Sequence, residues 1–485
     1  MPTSARSPIQ RPPPARRQTA AGRRASAAGQ WLAHHRSVLL IAFAFTVMAD
    51  PVSSVAYAVE AALRALGGNL SLLLPTMAVV IGIIAVVIAN YHDLVGRFPQ
   101  GGGAAAASGT AFGEGFAFLP LGALVVDFVL TIAVSIAAGT SAIVAYFPAA
   151  HTIRVPLALG LLLLVAALTW FGHWGRILFA LMTLSFVGIG TALLVSGFAK
   201  PQVVHAAAAG DASGFALFSV MRAFPVGMAL ATGVEAPSSA IAQLGQLDDA
   251  GRRRFGRVTL WLTLLIVGGL TMGITALAVR LGIGIPPADS TQIGDVAKAA
   301  GSPALFALFQ AASAVLLLAA ASSSFQAGPG LLKALARAER LEGSRLGILP
   351  AWMGRTNRHH TPYWAGLVYL LVSATVIVAA GARDQELVLF YAVAVFLSFL
   401  AGLLAMLKFS LAEHRRGWIL LNGAGTLLVG FTLVVNLLRG YPLVSFAAAL
   451  LIAGTLYWLW VRAGRPRGVS QIERIVEAEV GEEEE

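Results

Sequence analysis

The chain of 485 residues contains no cysteine. Disulfides, thiolate metal sites and cysteine nucleophiles are therefore excluded. Charge is almost as scarce: Asp, Glu, Lys and Arg together make up 12% of the residues, against about 25% in an ordinary soluble domain. Hydrophobic residues make up 57%. A chain so poor in charge reads as an all-α polytopic membrane protein. Its net charge of +11 then describes loops and tails rather than a nucleic-acid partner.

Runs of about 20 apolar residues mark spans, and twelve can be read. They fall near 37–66, 70–90, 116–147, 155–172, 177–198, 218–244, 257–281, 295–324, 363–381, 386–408, 417–437 and 442–462. With the N-terminus inside, the tails and inner connections hold 26 of the 34 Lys and Arg residues. That bias places both termini in the cytoplasm of a multi-pass protein of the cell membrane. Residues 1–36 are rich in Arg, Pro, Ala and Ser and contain no acid, as expected of a disordered basic arm that grazes anionic lipid. A signal peptide is the competing reading, but cleavage near Ala49 would remove half of the first span. Residues 463–485 form a short acidic cytoplasmic tail, and its end, Gly481-Glu-Glu-Glu-Glu485, reads as solvated and disordered.

Two of the spans carry a carboxylate beside a proline. The first contains Ala49-Asp-Pro-Val-Ser-Ser54 and the sixth Gly233-Val-Glu-Ala-Pro-Ser-Ser239. A charge at bilayer depth costs about 2.5–3.5 kcal/mol on insertion scales, so an ionisable residue there is a functional site by default. Proline removes a backbone donor, and a broken helix in hydrocarbon is tolerated only where it lines a polar cavity. The two segments open equivalent five-helix units, over 37–198 and 218–408, with 417–462 supplying two extra helices. Five is odd, so the second unit is inverted relative to the first. Interrupted helices at matching places in inverted halves point to a secondary transporter's binding site.

The third span adds Asp127, Thr131 and Ser135, spaced i, i+4, i+8 on one helical face. No Lys or Arg lies at the depth of Asp50, Asp127 and Glu235. Unpaired carboxylates in low dielectric hold a cation or take up protons, and oxygen ligands without thiols suit a hard cation. An amino acid is the rival substrate. Its carboxylate would need free N–H groups at a helix break, whereas the first break offers Pro51 and the charge of Asp50. Gly233 at the second break could still serve an amino group, and polyamines stay open as well.

Asp50-Pro-Val-Ser-Ser-Val-Ala-Tyr57 resembles the Asp-x-x-Ser-Ser-Val-x-Tyr signature of Kup/KimA-type potassium–proton symporters, within the amino acid–polyamine–organocation superfamily. The likeness continues through Phe98-Pro-Gln-Gly-Gly-Gly103, the Asp127–Ser135 stretch, Thr232-Gly-Val-Glu-Ala236, Ser322-Ser-Ser-Phe325 and Tyr391-Ala-Val-Ala-Val-Phe-Leu-Ser-Phe399. It covers about 40–400. It implies a LeuT-type 5+5 inverted repeat with broken helices 1 and 6, and proton-coupled potassium uptake. Ion coordination then maps onto Asp50, Tyr57, Asp127, Thr131, Ser135, Thr232 and Tyr391, with potassium held through Asp50, Asp127, Thr131, Ser135 and Thr232. Glu235 becomes the proton-coupling carboxylate. Phe128 departs from the family pattern, where tyrosine is common, and one oxygen ligand is lost there. The sizeable cytoplasmic C-terminal domain of KimA-type members has no counterpart in the 23 residues after the last span.

The glycine-rich stretch from Phe98 to Gly115 lacks Gly-Lys-Ser/Thr and a strand-to-helix context, so a gating segment is expected there rather than a phosphate loop. Arg252-Arg-Arg254 and the cluster at 333–358 read as topology determinants. The nine histidines sit at span ends or in tails. Glu60 shares a face with Tyr57 and either lines the outer vestibule or reaches interfacial water. The expected function is that of a transporter and no enzyme, with no cofactor and the proton as coupling ion. The expected partners are the lipid bilayer, a monovalent cation and protons, with a homodimer open to it. The alternative is an amino-acid or polyamine permease of the same fold.

Overall fold

The computed structural model describes residues 36–171, 176–200, 216–337, 340–341, 344–345 and 347–484. All but the last residue of the basic arm lies outside them, as do His34, His35, His173 and His205. Apart from a two-residue antiparallel pair, Arg340–Leu341 with Ser344–Arg345, the regular structure is helical. Among the described residues ten helices are long and apolar enough to cross a membrane, and two further apolar helices, Arg36–Val47 and Tyr363–Ala379, are shorter. Tyr363–Ala379 has 17 residues, about 26 Å of helix, just under the hydrocarbon thickness of about 30 Å.

Burial sorts these helices into an inner and an outer set. Only 22% of the apolar window in Pro148–Trp170 and 28% of that in Leu443–Arg462 is buried, against 67% in Glu114–Tyr146 and 76% in Asp384–Ala412. Apolar helices left so open within the bundle face lipid. The Phe118–Tyr146 helix packs on Pro303–Ala336, Asp384–Ala412 and Leu443–Arg462. It therefore forms the spine on which Asp127 is carried.

The first span is divided around its Asp-Pro pair: Arg36–Val47, Ala49–Ser53 and Val55–Ala65 are separated by turns at Met48 and Ser54. Val52 N–H still bonds the Met48 carbonyl and Ser54 N–H that of Asp50. Pro51 has no N–H to give the ladder, and the hydroxyls of Ser53 and Ser54 bond back to the Asp50 carbonyl at 2.7 and 3.3 Å. Two expectations need correction. The span expected near 295–324 is two elements, Gln292–Ala300 and Pro303–Ala336. Ser302 caps the second through Leu305 N–H, and Pro303 follows at the first helical position, a strong start signal. The acidic tail, finally, is not disordered up to Glu484: Ile472–Glu484 is a helix, and in its first turns Ile472, Glu473 and Val476 are buried.

The sixth span is interrupted more sharply than the first. The Ala216–Gly227 helix tightens into a 3-10 turn over Met228–Ala231. Thr232 then leaves helical geometry with ψ 136°, and Gly233 is left-handed at φ +69°. Helix resumes at Ala236–Ala240 with Pro237 in its first turn, where a missing N–H costs nothing.

Candidate functional site

Asp50, Asp127 and Glu235 come from three separate spans and line one cavity of about 170 Å³. Gly233 makes the first approach feasible. A Cβ on it would lie 2.6 Å from Asp50 Oδ2 and 2.8 Å from Pro51 Cδ, so only glycine lets the break sit against Asp50. Oδ1 of Asp50 and Oδ1 of Asp127 are buried without a hydrogen-bond partner in the protein. Glu235 is different, because Tyr91 donates to its Oε2 at 2.9 Å and Ser398 at 3.0 Å. The first two carboxyls thus present free oxygen, and the third is held in place by hydroxyls.

The remaining expected ligands stand around this cavity rather than in its wall. Tyr391 lies within electrostatic reach of Asp127, Asp50 and Tyr57, and its hydroxyl shares a 2.5 Å hydrogen bond with Thr131. The Tyr57 hydroxyl is 3.0 Å from Ser54 Oγ. Thr232 turns its hydroxyl onto the Ala229 carbonyl at 2.9 Å. Ser135, two turns along from Asp127, is fully buried with an unpartnered Oγ. Phe128 lines the cavity beside Asp127, where a tyrosine would have added an oxygen.

Two acids in the wall were not foreseen. Glu473 and Glu477, on the tail helix, line the same cavity. With Asp50, Asp127 and Glu235 they make five carboxyl groups, and no Lys, Arg or His lines it among the described residues. The available signal was the spacing of Ile472, Ile475 and Val476, a one-face helical pattern inside an acidic run.

The far end of the bundle is sealed by polar contacts. Phe118 clusters with the tail residues Val469 and Ile472, and Ser141 lies about 35 Å further along the same helix. There Ser141 donates to Asp384 Oδ1 at 2.6 Å. Arg154 bonds Ser141, the carbonyls of Ala382 (3.1 Å) and Ala288 (3.0 Å), and Asp384 at 3.5 Å. Glu60 neither lines an open vestibule nor reaches water: it is 4% exposed. It takes the Arg64 guanidinium at 2.8 Å and the Gln292 N–H at 2.9 Å. Breaking a buried ion pair strands a charge at a cost of about 3–5 kcal/mol. Arg154→Ala should therefore lower the thermal midpoint of the detergent-solubilised protein by several degrees. Adding Asp384→Asn, which removes the stranded charge, should recover part of the loss.

Among known proteins, a family model described as "Amino acid permease" matches residues 38–467. The potassium transporter KimA of Bacillus subtilis is 29% identical over 402 residues, covering 78% of this chain. This chain spans 63% of that relative's length. Two crystal structures of a manganese transporter from Eremococcus coleocola, one a mutant and one bound to an aromatic bis-isothiourea compound, align over 88% of this chain and 95% of theirs. Their identities are 14% and 13% and their TM-scores 0.43 and 0.44. The family match takes in the whole bundle and both interrupted spans, and the chain belongs to the amino acid permease family of membrane transporters, within the amino acid–polyamine–organocation superfamily.

Proposed function

We propose that this protein imports potassium together with protons by alternating access, through a twelve-helix LeuT-type 5+5 inverted repeat with both termini cytoplasmic. The observation that carries the reading is the charge of the cavity. Five carboxyl groups line it with no basic side chain among the described residues. An anionic substrate group would meet only repulsion there. A dehydrated monovalent cation would find the free oxygens of Asp50 and Asp127. The likeness to a potassium transporter supports the choice of cation, and the excess of Lys and Arg on one side supports the orientation.

In this reading Asp50 and Asp127 bind the cation, and Tyr57, Thr131, Ser135, Thr232 and Tyr391 complete or support the shell. Glu235 exchanges protons. Its two hydroxyl partners, Tyr91 and Ser398, keep it oriented in either protonation state, since a hydroxyl both donates and accepts. The sealed end around Arg154 and Glu60 is the outer gate in its closed position.

Expression in a bacterium lacking potassium uptake should restore growth at limiting potassium. No rescue from a protein present in the membrane, together with accumulation of labelled amino acids or polyamines, would replace this reading by the permease one. In proteoliposomes Glu235→Gln should abolish the pH change that accompanies cation entry while passive cation exchange persists. An unchanged proton flux would remove Glu235 from the coupling step.

A further inference from the structure

The tail helix does more than follow the last span. Its buried face, Ile472, Glu473 and Val476, lies against the second interrupted segment and the Pro303–Ala336 helix. Four polar contacts fasten it. Ser239 donates to Glu473 Oε2 at 2.9 Å, and Gln243 donates to Glu477 Oε2 at 2.6 Å. Lys333 and Arg337 meet Glu479 at 2.6 and 3.5 Å. Just before the helix, Ser470 donates to Glu114 through its backbone N–H at 2.9 Å and its hydroxyl at 3.1 Å.

The glycine-rich segment is shaped for this contact. Gly103 is left-handed at φ +46°, and a Cβ there would come within 2.6 Å of Ser239 Oγ and 2.7 Å of Glu473 Oε2. Ser239 and Gln243 themselves belong to the segment that resumes after the break carrying Glu235. The tail is thus bolted to the half of the broken helix that alternating access has to move.

We propose that Ile472–Glu484 is an autoinhibitory plug: docked, it closes the tail-side mouth of the cation cavity through Glu473, Val476 and Glu477, and it must undock before the cavity exchanges with that side. The regulatory role rests on the transport reading above, whereas the closure itself does not. Docking is also sensitive to pH. Burial first, and then the facing charge of Glu235, push the Glu473 carboxyl well above the ordinary carboxylate range, against the hydrogen bond from Ser239. Glu477 faces it from the next turn of its own helix. At the end of Pro303–Ala336 the basic groups Lys333 and Arg337 are engaged by Glu479, and His360 lines the neighbouring cleft with Lys333 and Glu479. Docking therefore takes up a proton at Glu473. That contribution is full below the ordinary glutamate pKa and is lost as pH rises through the docked value, so alkaline conditions release the plug.

The absence of cysteine makes the test direct. Ala240 lines the cavity and is 4% exposed, so Ala240→Cys supplies a single thiol behind the plug. In purified full-length protein a soluble maleimide should label it at least tenfold faster when Glu473→Lys is added, and faster at pH 8.5 than at pH 6 after correction for thiol ionisation. A labelling rate unmoved by Glu473→Lys would overturn the plug. A second variant, Gln243→Cys with Glu477→Cys, should cross-link under mild oxidant and lose uptake, regaining it on reduction. Cross-linking with undiminished uptake would equally overturn it. Labelling that responds in a protein that moves no potassium would sink the choice of cargo and leave the closure standing.

Discussion

Asp50→Asn is expected to abolish growth rescue and to lower the apparent affinity for the cation by about 100-fold or more. A unit charge about 3 Å from a carboxylate is worth about 5 kcal/mol at an effective dielectric near 20. Desolvation of the ion takes back a large share, and about 3 kcal/mol left over is a factor of about 100. The fold should survive the change. Oδ1 of Asp50 has no protein partner to lose, and asparagine keeps the shape while removing a charge that faces Asp127. Thermal denaturation separates binding from stability. The wild type should gain stability as potassium is raised, by about 2.7 kcal/mol at 100 times the dissociation constant, and the variant should gain none. A variant that still melts higher in potassium would show that Asp50 is not a ligand.

Gly233→Ala should be nearly as damaging, through the backbone. An L-residue in the left-handed region costs about 1–2 kcal/mol, and the added methyl would collide with Asp50 Oδ2 and Pro51 Cδ. Both neighbours belong to the site, so relief of the clash displaces Asp50 from the cavity wall. Uptake should fall at least tenfold, with a stability loss of about 2 kcal/mol. Gly188→Ala is the control. A Cβ there meets nothing within 4 Å, and alanine improves helix propensity by up to about 1 kcal/mol, so uptake should be unchanged. Equal behaviour of the two variants would show that the contact between the break and Asp50 is not needed.

The parts of this molecule that declare themselves in sequence are those where a residue type contradicts its surroundings. Asp50, Asp127 and Glu235 stand out because a carboxylate in an apolar run has to be accounted for, and the three do line one cavity. Proline was a coarser guide. Pro51 marks the division of the first span into short helices, where Ser53 and Ser54 bond back to the Asp50 carbonyl, whereas Gly233 marks the sharper interruption. Glu473 and Glu477 were hidden for the opposite reason to Asp50. In an acidic stretch another acid is no anomaly, and the apolar face that buries it has only Ile472, Ile475 and Val476 to announce it. The clamp at the far end was hidden too. Arg154 lies at a span boundary, where a basic residue already has a topological explanation, and nothing local ties it to Asp384, 230 positions later.

A wall of acids with no base among them also has an electrical meaning. A carboxylate that is ionised and crosses the full transmembrane field exchanges about 2.3 kcal/mol per 100 mV. When the gates around the empty cavity switch sides, the field falls across the other side of those acids, and the switch itself moves charge. A bound cation and a proton cancel part of that charge. The membrane potential therefore acts most strongly on the empty carrier, and a transient current in the absence of substrate is the form in which these carboxylates would be heard.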